Sequence, residues 1–479
     1  MTRLGLRQGA RRIAPLAWPV FVGQVAVLAF STVDTVLVAR TTPTDLAALA
    51  IGAAVYISVF IGLMGVVLAI GPIAGHLFGA GKLRECGAEV QQAMWLGIFL
   101  SLPGGLVLLF PEPFLALARA EPAVAAKVRD YLHGLALALP PALVFTAYRG
   151  FNVAVSRPKA VMALQIGGLV LKIPLSALLV FGTDGALPVP ALGAAGCGIA
   201  TAAVMWCQLA AAVWLLRRDR FYRRFGLGRA MTIARPRAAS LIALLRLGVP
   251  IGLAVLVEVT GFTFMAFFVA RIGATTVAGH QIAANMVSMM FMLPLAIANA
   301  ASTLVAQQVG AGDAADARRI GWAALEIGVA VAAALGGAVY LLRAQVVGLY
   351  TANPVIVAAA LPLLAWVALF HVADAAQTIA AFVLRAYRIA TLPLVVYVLA
   401  VWGIGLGGGY VAAFDLAGIS PAWMLGARGF WSMATVGLAT AGLAMSTYLA
   451  FRLRREASRS ARAGPAPAAR RDGLGREQR

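Results

Sequence analysis

Charged residues are scarce in this chain. Only 12% of its 479 residues are Asp, Glu, Lys or Arg and 62% are hydrophobic, whereas a soluble domain has about 25% charged residues. A chain this apolar cannot face water over most of its surface. Apolar stretches recur along the whole length, and each is long enough to cross a bilayer core about 30 Å thick. The sequence therefore predicts an all-α polytopic membrane protein.

Cysteine and histidine are also few, which argues against several kinds of site. Cys86, Cys197 and Cys207 form no CxxC pair and have no metal-ligand spacing. The four histidines show no Ser–His or His/Asp spacing of the kind that a membrane-embedded enzyme would need. We therefore expect a protein that is not an enzyme and that needs no bound cofactor.

Acidic residues are outnumbered by basic ones, 18 to 39, and the formal net charge is +21. The basic residues cluster at the ends of apolar segments and in the tails, rather than on one domain with aromatic platforms. We interpret them as topogenic charge and as contacts to anionic lipid of the bilayer. Nucleic acid is not expected as a partner.

The chain divides into two halves of about six spans each. The long polar interruption at 217–240 separates them. The predicted organisation is a six-helix bundle at 1–216, a basic cytoplasmic linker at 217–240, a second six-helix bundle at 241–451 and a disordered basic cytoplasmic tail at 452–479.

Lysine and arginine placement predicts the orientation. With a cytoplasmic N-terminus and alternating spans, the inside segments hold 31 Lys and Arg residues and the outside segments hold seven. The inside set includes Arg149 and Arg385, and only Lys172 falls within a span. This bias predicts that both termini and the linker are cytoplasmic.

The halves are repeats of each other. A proline, the tripeptide VAR and the tripeptide GAG recur at one offset of 231 residues without a gap. They stand at Pro19 and Pro250, at 38–40 and 269–271, and at 79–81 and 310–312. Because each half has an even number of spans, the two copies are predicted to be parallel in the membrane. Transporters built in this way hold substrate between their halves.

Three carboxylates, Asp34, Glu258 and Asp374, lie inside spans. An ionised carboxylate in hydrocarbon must face a polar cavity, pair with a cation or take up a proton. Glu258 and Asp374 lie 12 and 11 residues from Arg246 and Arg385, so both are about 17 Å from the cytoplasmic side. Two carboxylates at one depth could hold a cation or share a proton. Alternatively, each is fixed by hydrogen bonds at a helix contact.

Asp34 belongs to the outer third of the N-terminal half. Its repeat counterpart is Met265, and the counterpart of Glu258 is Val27, so the halves share architecture and differ in chemistry. We hypothesise that Lys172 pairs with deprotonated Asp34 and is freed when Asp34 is protonated. The alternative is a lysine that extends toward water.

Four segments resemble the multidrug and toxic compound extrusion (MATE) family, in its NorM-like branch. They are FSTVDTVLVAR at 30–40, GAAGCGIATA at 193–202, VPIGLAVLVEVTGFTFMAFFVARIGATTVAGHQIA at 249–283 and FHVADAAQTIAAFVLRAYR at 370–388. The likeness covers roughly 12–450. It implies a V-shaped pair of parallel six-helix bundles in a bacterial inner membrane, and drug efflux driven by Na⁺ or H⁺.

The resemblance also implies roles for single residues. Glu258 and Asp374 match carboxylates associated with cation coupling, Na⁺ binding included, and Asp34 matches one associated with protonation or drug binding. Many relatives carry Asn where this chain has Lys172 and Ser176. That departure puts in doubt a Na⁺ site in the N-terminal half.

Three further side chains are candidates for protonation or substrate binding. His280 and Gln281 lie in the eighth span and fit the cavity lining that the resemblance implies. His371 lies three residues before Asp374, on the same helical face. It could relay a proton, or it could pack or line the cavity.

The expected function is that of a secondary active antiporter. It would export lipophilic cationic drugs or toxins in exchange for H⁺ or Na⁺ by alternating access, as a monomer. The alternative is a flippase for a lipid-linked precursor of the same superfamily. Such a flippase should line its cavity with several cations, and Lys172 is the only Lys or Arg predicted deep within a span. A simple channel is disfavoured, because single buried carboxylates do not form ion rings.

Overall fold

A computed structural model of the protein describes residues 5–118, 120–183, 188–228 and 234–462. Within these residues the chain forms 17 α-helices, one π-helical segment and one 3₁₀ turn. The described part contains no β-structure beyond one isolated bridge, between Thr183 and Val189. Twelve helical spans are long and apolar enough to cross a membrane. The prediction of an all-α protein with about twelve membrane-spanning helices is confirmed.

The N-terminal half contains eight helices. Seven of them build six spans, because α2 and α3 share one, and the short helix α5 belongs to none. Their bounds are α1 Leu6–Val38, α2 Pro43–Val67, α3 Ile70–Gly79, α4 Leu83–Leu109, α5 Glu112–Ala118, α6 Pro122–Ala154, α7 Pro158–Phe181 and α8 Ala194–Arg218. Proline stands in the first turn of α2, α6 and α7, where its missing N–H costs nothing. Thr42 caps α2 by accepting a hydrogen bond from the Asp45 backbone N–H.

The C-terminal half follows a short linker helix. The bounds are α9 Arg220–Arg223, α10 Ala238–Ala270, α11 Ala274–Gly310, α12 Ala314–Leu341, α13 Arg343–Tyr350, α14 Pro354–Ala386, α15 Thr391–Tyr397, the π-helical segment Val398–Gly407, α16 Gly408–Ala413, the 3₁₀ turn Ala422–Met424 and α17 Ala427–Arg462. α15, the π-helical segment and α16 form a single span. The run GIGLGGG at 403–409 weakens the α-helical preference there, and wide π turns often mark functional sites.

The last helix extends beyond the last predicted span. α17 continues to Arg462, whereas the sequence interpretation ended the last span at residue 451. Residues 452–462 contain neither Gly nor Pro, so nothing in them stops a helix. The part of the predicted tail from 463 to 479 lies outside the described residues, as do 229–233 of the linker and residues 1–4. The described end of the linker is tied to α4, because the Trp95 indole N–H donates to the Ala234 carbonyl at 2.8 Å.

The repeat is visible in matched local geometry. Pro19 and Pro250 lie inside the first helices of the two halves, α1 and α10. The two GAG turns also match, because their last glycines, Gly81 and Gly312, have φ values of 73° and 80°. A left-handed residue at this point suits glycine, which has no Cβ to clash. The predicted parallel repeat is confirmed.

The halves meet on one side of the molecule. We call the side at which α1 and α10 begin the proximal side, and the opposite one the distal side. Near the proximal side, Gly310 of α11 lies so close to His76 of α3 that a Cβ on Gly310 would clash with it. The Gln307 amide of α11 also donates to the Ala154 carbonyl at the end of α6, at 2.7 Å. The contact between the halves is therefore closed at the proximal side, as in a V-shaped pair of bundles.

Candidate functional site

Glu258 and Asp374 lie together in the C-terminal half, on α10 and α14. The side-chain amide of Gln377, one turn after Asp374, donates to both carboxylates. Its Nε2 is 3.1 Å from Glu258 Oε1 and 2.9 Å from Asp374 Oδ1. The structure thus brings together the two carboxylates that the sequence places at one depth, and one neutral amide joins them.

Tyr397, the last residue of α15, orients this amide. Its hydroxyl donates to Gln377 Oε1, so the amide oxygen is occupied and the NH₂ group faces the carboxylates. The same Nε2 lies 3.0 Å from Thr378 Oγ1. Tyr397, Gln377 and Thr378 are all buried. The polar groups around the two carboxylates are therefore held in one arrangement by α14 and α15.

A cavity between α10, α14, the π-helical segment and α17 reaches both carboxylates. Its remaining lining is apolar or aromatic: Gly261, Phe262, Met265, Phe370, Val401, Gly405, Leu406, Phe430, Ala434 and Leu438. Low-dielectric walls strengthen the attraction between a carboxylate and a cation. The described residues contain no group of three or more His, Cys, Asp or Glu that could hold a metal ion. The chemistry available is that of two carboxylates, which suits a proton or a hard monovalent cation.

Two arginines that the sequence interpretation placed in cytoplasmic segments lie within helices. Arg385 is in the last turn of α14, is 6% exposed and has its guanidinium carbon 4.5 Å from the centroid of the Phe382 ring. Arg149 lies in α6, five residues before its end, and is half-buried. Both lie within about 8 Å of the proximal ends of their helices, so they do not contradict the prediction that Lys172 is the only Lys or Arg deep within a span. A hydropathy pattern ends a span at the nearest charge, but a helix continues through a charge that its neighbours cover.

Asp34 in the N-terminal half is paired directly with Lys172. The Lys172 ammonium lies 2.9 Å from Asp34 Oδ1 and 2.7 Å from Thr201 Oγ1. It also lies 5.6 Å from the centroid of the Phe30 ring. The Ser176 hydroxyl donates a longer hydrogen bond to Asp34, at 3.4 Å. Lys172 is fully buried, so its side chain does not extend toward water, and the hypothesised ion pair is present in the structure.

The other candidate side chains make no hydrogen bond with these two clusters among the described residues. His280 is buried, with its ring 5.8 Å from that of Trp431. His371 is fully buried on α14, and neither of its ring nitrogens has a hydrogen-bond partner among the described residues. Gln281 is exposed on α11. Roles for these three residues in protonation or substrate binding stay predictions.

Sequence reasoning missed Gln377, Thr378 and Tyr397. Gln377 and Thr378 carry a local signal, because they are polar residues in an apolar span within about one turn of Asp374. Tyr397 carries none, since it belongs to another span and only packing brings it to Gln377. Thr201, which contacts Lys172 from α8, was missed for the same reason.

Comparison with known proteins identifies the family. The MatE family model matches residues 19–178 and 250–411, which is one match in each half. The chain belongs to the MATE family. This MATE protein is 39% identical over 446 residues to a protein of Aromatoleum aromaticum named "Probable multidrug resistance protein NorM", covering 93% of this chain and 95% of that one. It is 34% identical over 459 residues to multidrug resistance protein PmpM of Pseudomonas aeruginosa, covering 94% and 93%.

Solved structures agree with this assignment at the level of the fold. The eukaryotic MATE transporter AtDTX14 superimposes with a TM-score of 0.82 at 18% identity, covering 95% of this chain and 99% of that chain. The Vibrio cholerae MATE transporter VcmN in its bent form has a TM-score of 0.82 at 18% identity, covering 94% and 98%. The protein is thus a NorM-like, multi-pass bacterial membrane transporter rather than an enzyme.

Proposed function

We propose that this MATE protein is a secondary active antiporter that exports drug-like lipophilic cations in exchange for H⁺ or Na⁺. The observation that carries the proposal is the pair Glu258 and Asp374, joined by one neutral amide at the wall of an otherwise apolar cavity. Relatives named as multidrug resistance proteins support the export of drugs. The pair supports coupling to a cation.

The C-terminal cluster is short of positive charge. Glu258 and Asp374 carry two negative charges when both are ionised, and the side chain that bridges them is neutral. Arg385 is buried over the Phe382 ring and makes no ion pair with either carboxylate in the described structure. Uncompensated charge in an apolar site costs free energy. A bound Na⁺ or a proton reduces that cost, so the cluster has a physical reason to bind one.

Exchange follows from a difference in affinity between two conformations. The coupling cation neutralises the carboxylate pair and favours the conformation that encloses it, while the drug favours the other conformation. Each ligand therefore promotes release of the other. The membrane potential adds about 2.3 kcal/mol per charge per 100 mV if the cycle moves net charge.

In the N-terminal half, we assign Asp34 the role of a second protonation site. Protonating Asp34 would remove its charge and break the ion pair, which would free the Lys172 ammonium. Lys172→Asn is expected to change the pH dependence of efflux, because the asparagine cannot compensate an ionised Asp34. An unchanged pH profile would contradict the coupling role of the pair.

The orientation is part of the same proposal. If the basic segments are cytoplasmic, the proximal side faces the cytoplasm and the described conformation, closed at that side, opens outward. The test is a cysteine at Lys82, which is exposed on the proximal side, in a chain whose exposed Cys207 is replaced by Ser. A membrane-impermeant thiol reagent added outside intact cells should leave this cysteine unlabelled. Labelling from outside would show that the proximal side faces outward and that the proposed orientation is wrong.

The deciding experiment is efflux of a fluorescent cationic dye from purified protein in liposomes, under an imposed pH gradient or an imposed Na⁺ gradient. Wild type, Glu258→Gln and Glu121→Gln would be compared, because Glu121 is an exposed carboxylate outside the site. One gradient should drive efflux in the wild type and in Glu121→Gln, and efflux should be lost in Glu258→Gln. If neither gradient drives the dye, or Glu258→Gln works as well as wild type, the assignment fails and the flippase alternative comes forward.

A further inference from the structure

A second cavity, of about 750 Å³, lies at the distal side of the N-terminal half. It is lined by residues at the start of α2, in the first half of α6, in the connection between α7 and α8 and in the first turns of α8. Asp34, Glu258 and Asp374 are not among the described residues that line it. The proposed exchange therefore gives this cavity no role.

One carboxylate of this cavity is paired within the protein. Asp45 is buried, and it accepts hydrogen bonds from the Lys127 ammonium at 2.7 Å and from the Ala194 backbone N–H at 3.2 Å. The ammonium has three N–H bonds, and its one other contact among the described residues is to the Thr42 hydroxyl, at 3.4 Å. Lys127 thus cancels the charge of Asp45 and can still donate one hydrogen bond.

The other carboxylate, Asp130, is unpaired. It is exposed and follows Lys127 by three residues, so the two side chains are neighbours on one face of α6. Asp130 makes no hydrogen bond or ion pair among the described residues. His133, one turn further on, is also exposed and contacts the Leu109 carbonyl at 3.3 Å. The cavity therefore presents an ammonium with a spare donor beside a carboxylate with free acceptors.

These charges lie at the depth of a lipid headgroup. α6 has 33 residues and is about 50 Å long, whereas a bilayer core is about 30 Å thick. A helix centred on that core extends beyond it by about 10 Å at each end. Lys127 and Asp130 follow Pro122, the first residue of α6, by five and eight positions, so they lie about 8 and 12 Å from the distal end. Both are therefore near the boundary of the distal leaflet.

An apolar surface continues from the cavity toward the middle of the membrane. Leu137 of α6 and Ile199 of α8 line the cavity and are 65% and 41% exposed. The indole N–H of Trp206 donates to the Leu137 carbonyl at 3.1 Å, which has no N–H to accept from four residues on, because Pro141 lacks one. Trp206 is exposed and thereby fixed across α6 and α8. Together these side chains form an apolar groove that can hold a hydrocarbon chain.

We propose that this cavity binds a zwitterionic phospholipid whose headgroup carries a primary ammonium. The lipid phosphate accepts a hydrogen bond from Lys127, the ammonium donates to Asp130, and an acyl chain follows the groove along Leu137 and Trp206. Both polar contacts are charge-assisted. An ethanolamine headgroup holds its phosphate and ammonium two carbons apart, which matches a cation and an anion three residues apart on a helix.

The same charges disfavour other lipid headgroups. A glycerol headgroup offers no cation, so an anionic lipid would bring its negative charge beside Asp130 with nothing to compensate it. A choline headgroup carries a positive charge but has no N–H to donate to the carboxylate. Phosphatidylethanolamine should therefore bind in preference to phosphatidylcholine and phosphatidylglycerol.

The test is photocrosslinking of the full-length protein in liposomes with a phosphatidylethanolamine that carries a diazirine in one acyl chain. Mass spectrometry would locate the crosslinked peptides, and those of the C-terminal half would report ordinary boundary lipid. Crosslinks are expected at Leu137 and Ile199. Unlabelled phosphatidylethanolamine should compete for these crosslinks about tenfold better than phosphatidylcholine or phosphatidylglycerol with the same chains, as for one charge-assisted hydrogen bond.

Two substitutions at one position test the charge assignment. Asp130→Asn should lower crosslinking at Leu137 and Ile199 about tenfold, because the ammonium loses its charged partner. Asp130→Lys should reverse the preference, so that phosphatidylglycerol becomes the best competitor. Glu121→Gln is the matched control, since Glu121 is an exposed carboxylate just before α6, and it should change neither result. Crosslinking in the C-terminal half should be equal in every variant that folds.

Three results would overturn the inference. Equal competition by the three lipids, with crosslinking unchanged in Asp130→Asn, would mean ordinary boundary lipid. Stronger competition by phosphatidylglycerol in the wild type would mean that the cavity selects an anionic lipid. Displacement by the cationic dye but not by unlabelled phosphatidylethanolamine would make the cavity a drug site. None of these measurements uses efflux, so failure of the proposed exchange function would leave the inference standing.

Discussion

The two halves of this transporter hold their buried carboxylates in different ways. In the N-terminal half, Asp34 is 2.9 Å from the ammonium of Lys172, which is completely buried. In the C-terminal half, Glu258 and Asp374 share a neutral amide. The first site contains an ion pair within the chain, whereas the second has none among the described residues.

This difference separates architecture from chemistry. The repeat reproduces the helices, the prolines of α1 and α10 and the left-handed glycine turns. It does not reproduce the charges, since Met265 stands where the first half has Asp34. A parallel repeat thus provides two similar scaffolds, and each can acquire its own ion requirement. In our proposal the C-terminal half needs a cation from outside the chain. In the N-terminal half, the Lys172 ammonium already occupies the place that such a cation would take beside Asp34.

Removing the internal cation should have the largest effect. Lys172→Met leaves Asp34 buried without its partner, and an uncompensated buried charge costs about 3–5 kcal/mol. We expect a clear drop in the thermal unfolding temperature of the purified protein in detergent, followed by intrinsic tryptophan fluorescence. The double variant with Asp34→Asn should recover most of the loss, because the unpaired charge is gone. A Lys172→Met protein as stable as wild type would show that the pair does not hold the site.

Adding an internal cation to the other half should make the two sites alike. In Gln377→Lys the ammonium would lie within reach of both Glu258 and Asp374 and take the place of the coupling cation. We expect gradient-driven dye efflux to fall about 100-fold, which is about 2.7 kcal/mol. Downhill equilibration of the dye should persist. Efflux that still follows the imposed gradient would show that the carboxylate pair is not the coupling site. Gln92→Lys, at a buried glutamine of α4, is the control for the cost of a buried lysine.

Weakening the Gln377 bridge between Glu258 and Asp374 should have a smaller effect on efflux. Tyr397→Phe removes the hydroxyl that orients the Gln377 amide, and loss of such a supporting hydrogen bond typically lowers ion affinity 10–100-fold. We expect about a tenfold rise in the ion concentration that gives half-maximal efflux, with little change in the maximal rate. Tyr410→Phe, at the distal end of the same span, is the matched control. Equal effects of the two substitutions would argue against a role for the bridge.

The smallest effect is expected at Ser176. Its hydrogen bond to Asp34 is long, 3.4 Å, while the strong partner of that carboxylate is Lys172 at 2.9 Å. Ser176→Ala should therefore change the pH at half-maximal efflux little and the rate less than about twofold, as for a weak hydrogen bond of about 0.5 kcal/mol. If Ser176→Ala lowered the thermal unfolding temperature as much as Lys172→Met does, Ser176 rather than Lys172 would control the site.

Parts of the site were predictable because they lie along one helix or at one depth. Counting residues from the nearest charges placed Glu258 and Asp374 at a common level, and their contact through Gln377 agrees with that count. The same counting ended two spans too early, at Arg149 and Arg385, although both helices continue past these residues.

The sequence by itself determined the membrane class, the number of spans and the parallel repeat, because hydropathy and a constant offset are properties of the linear chain. Only the tertiary structure decided which polar side chains meet. Tyr397 orients Gln377, and Thr201 contacts Lys172, across different helices. These helices are apolar around most of their circumference, so no amphipathic pattern reveals how each is rotated about its axis. That rotation, set by the packing of neighbouring helices, decides which polar groups face each other.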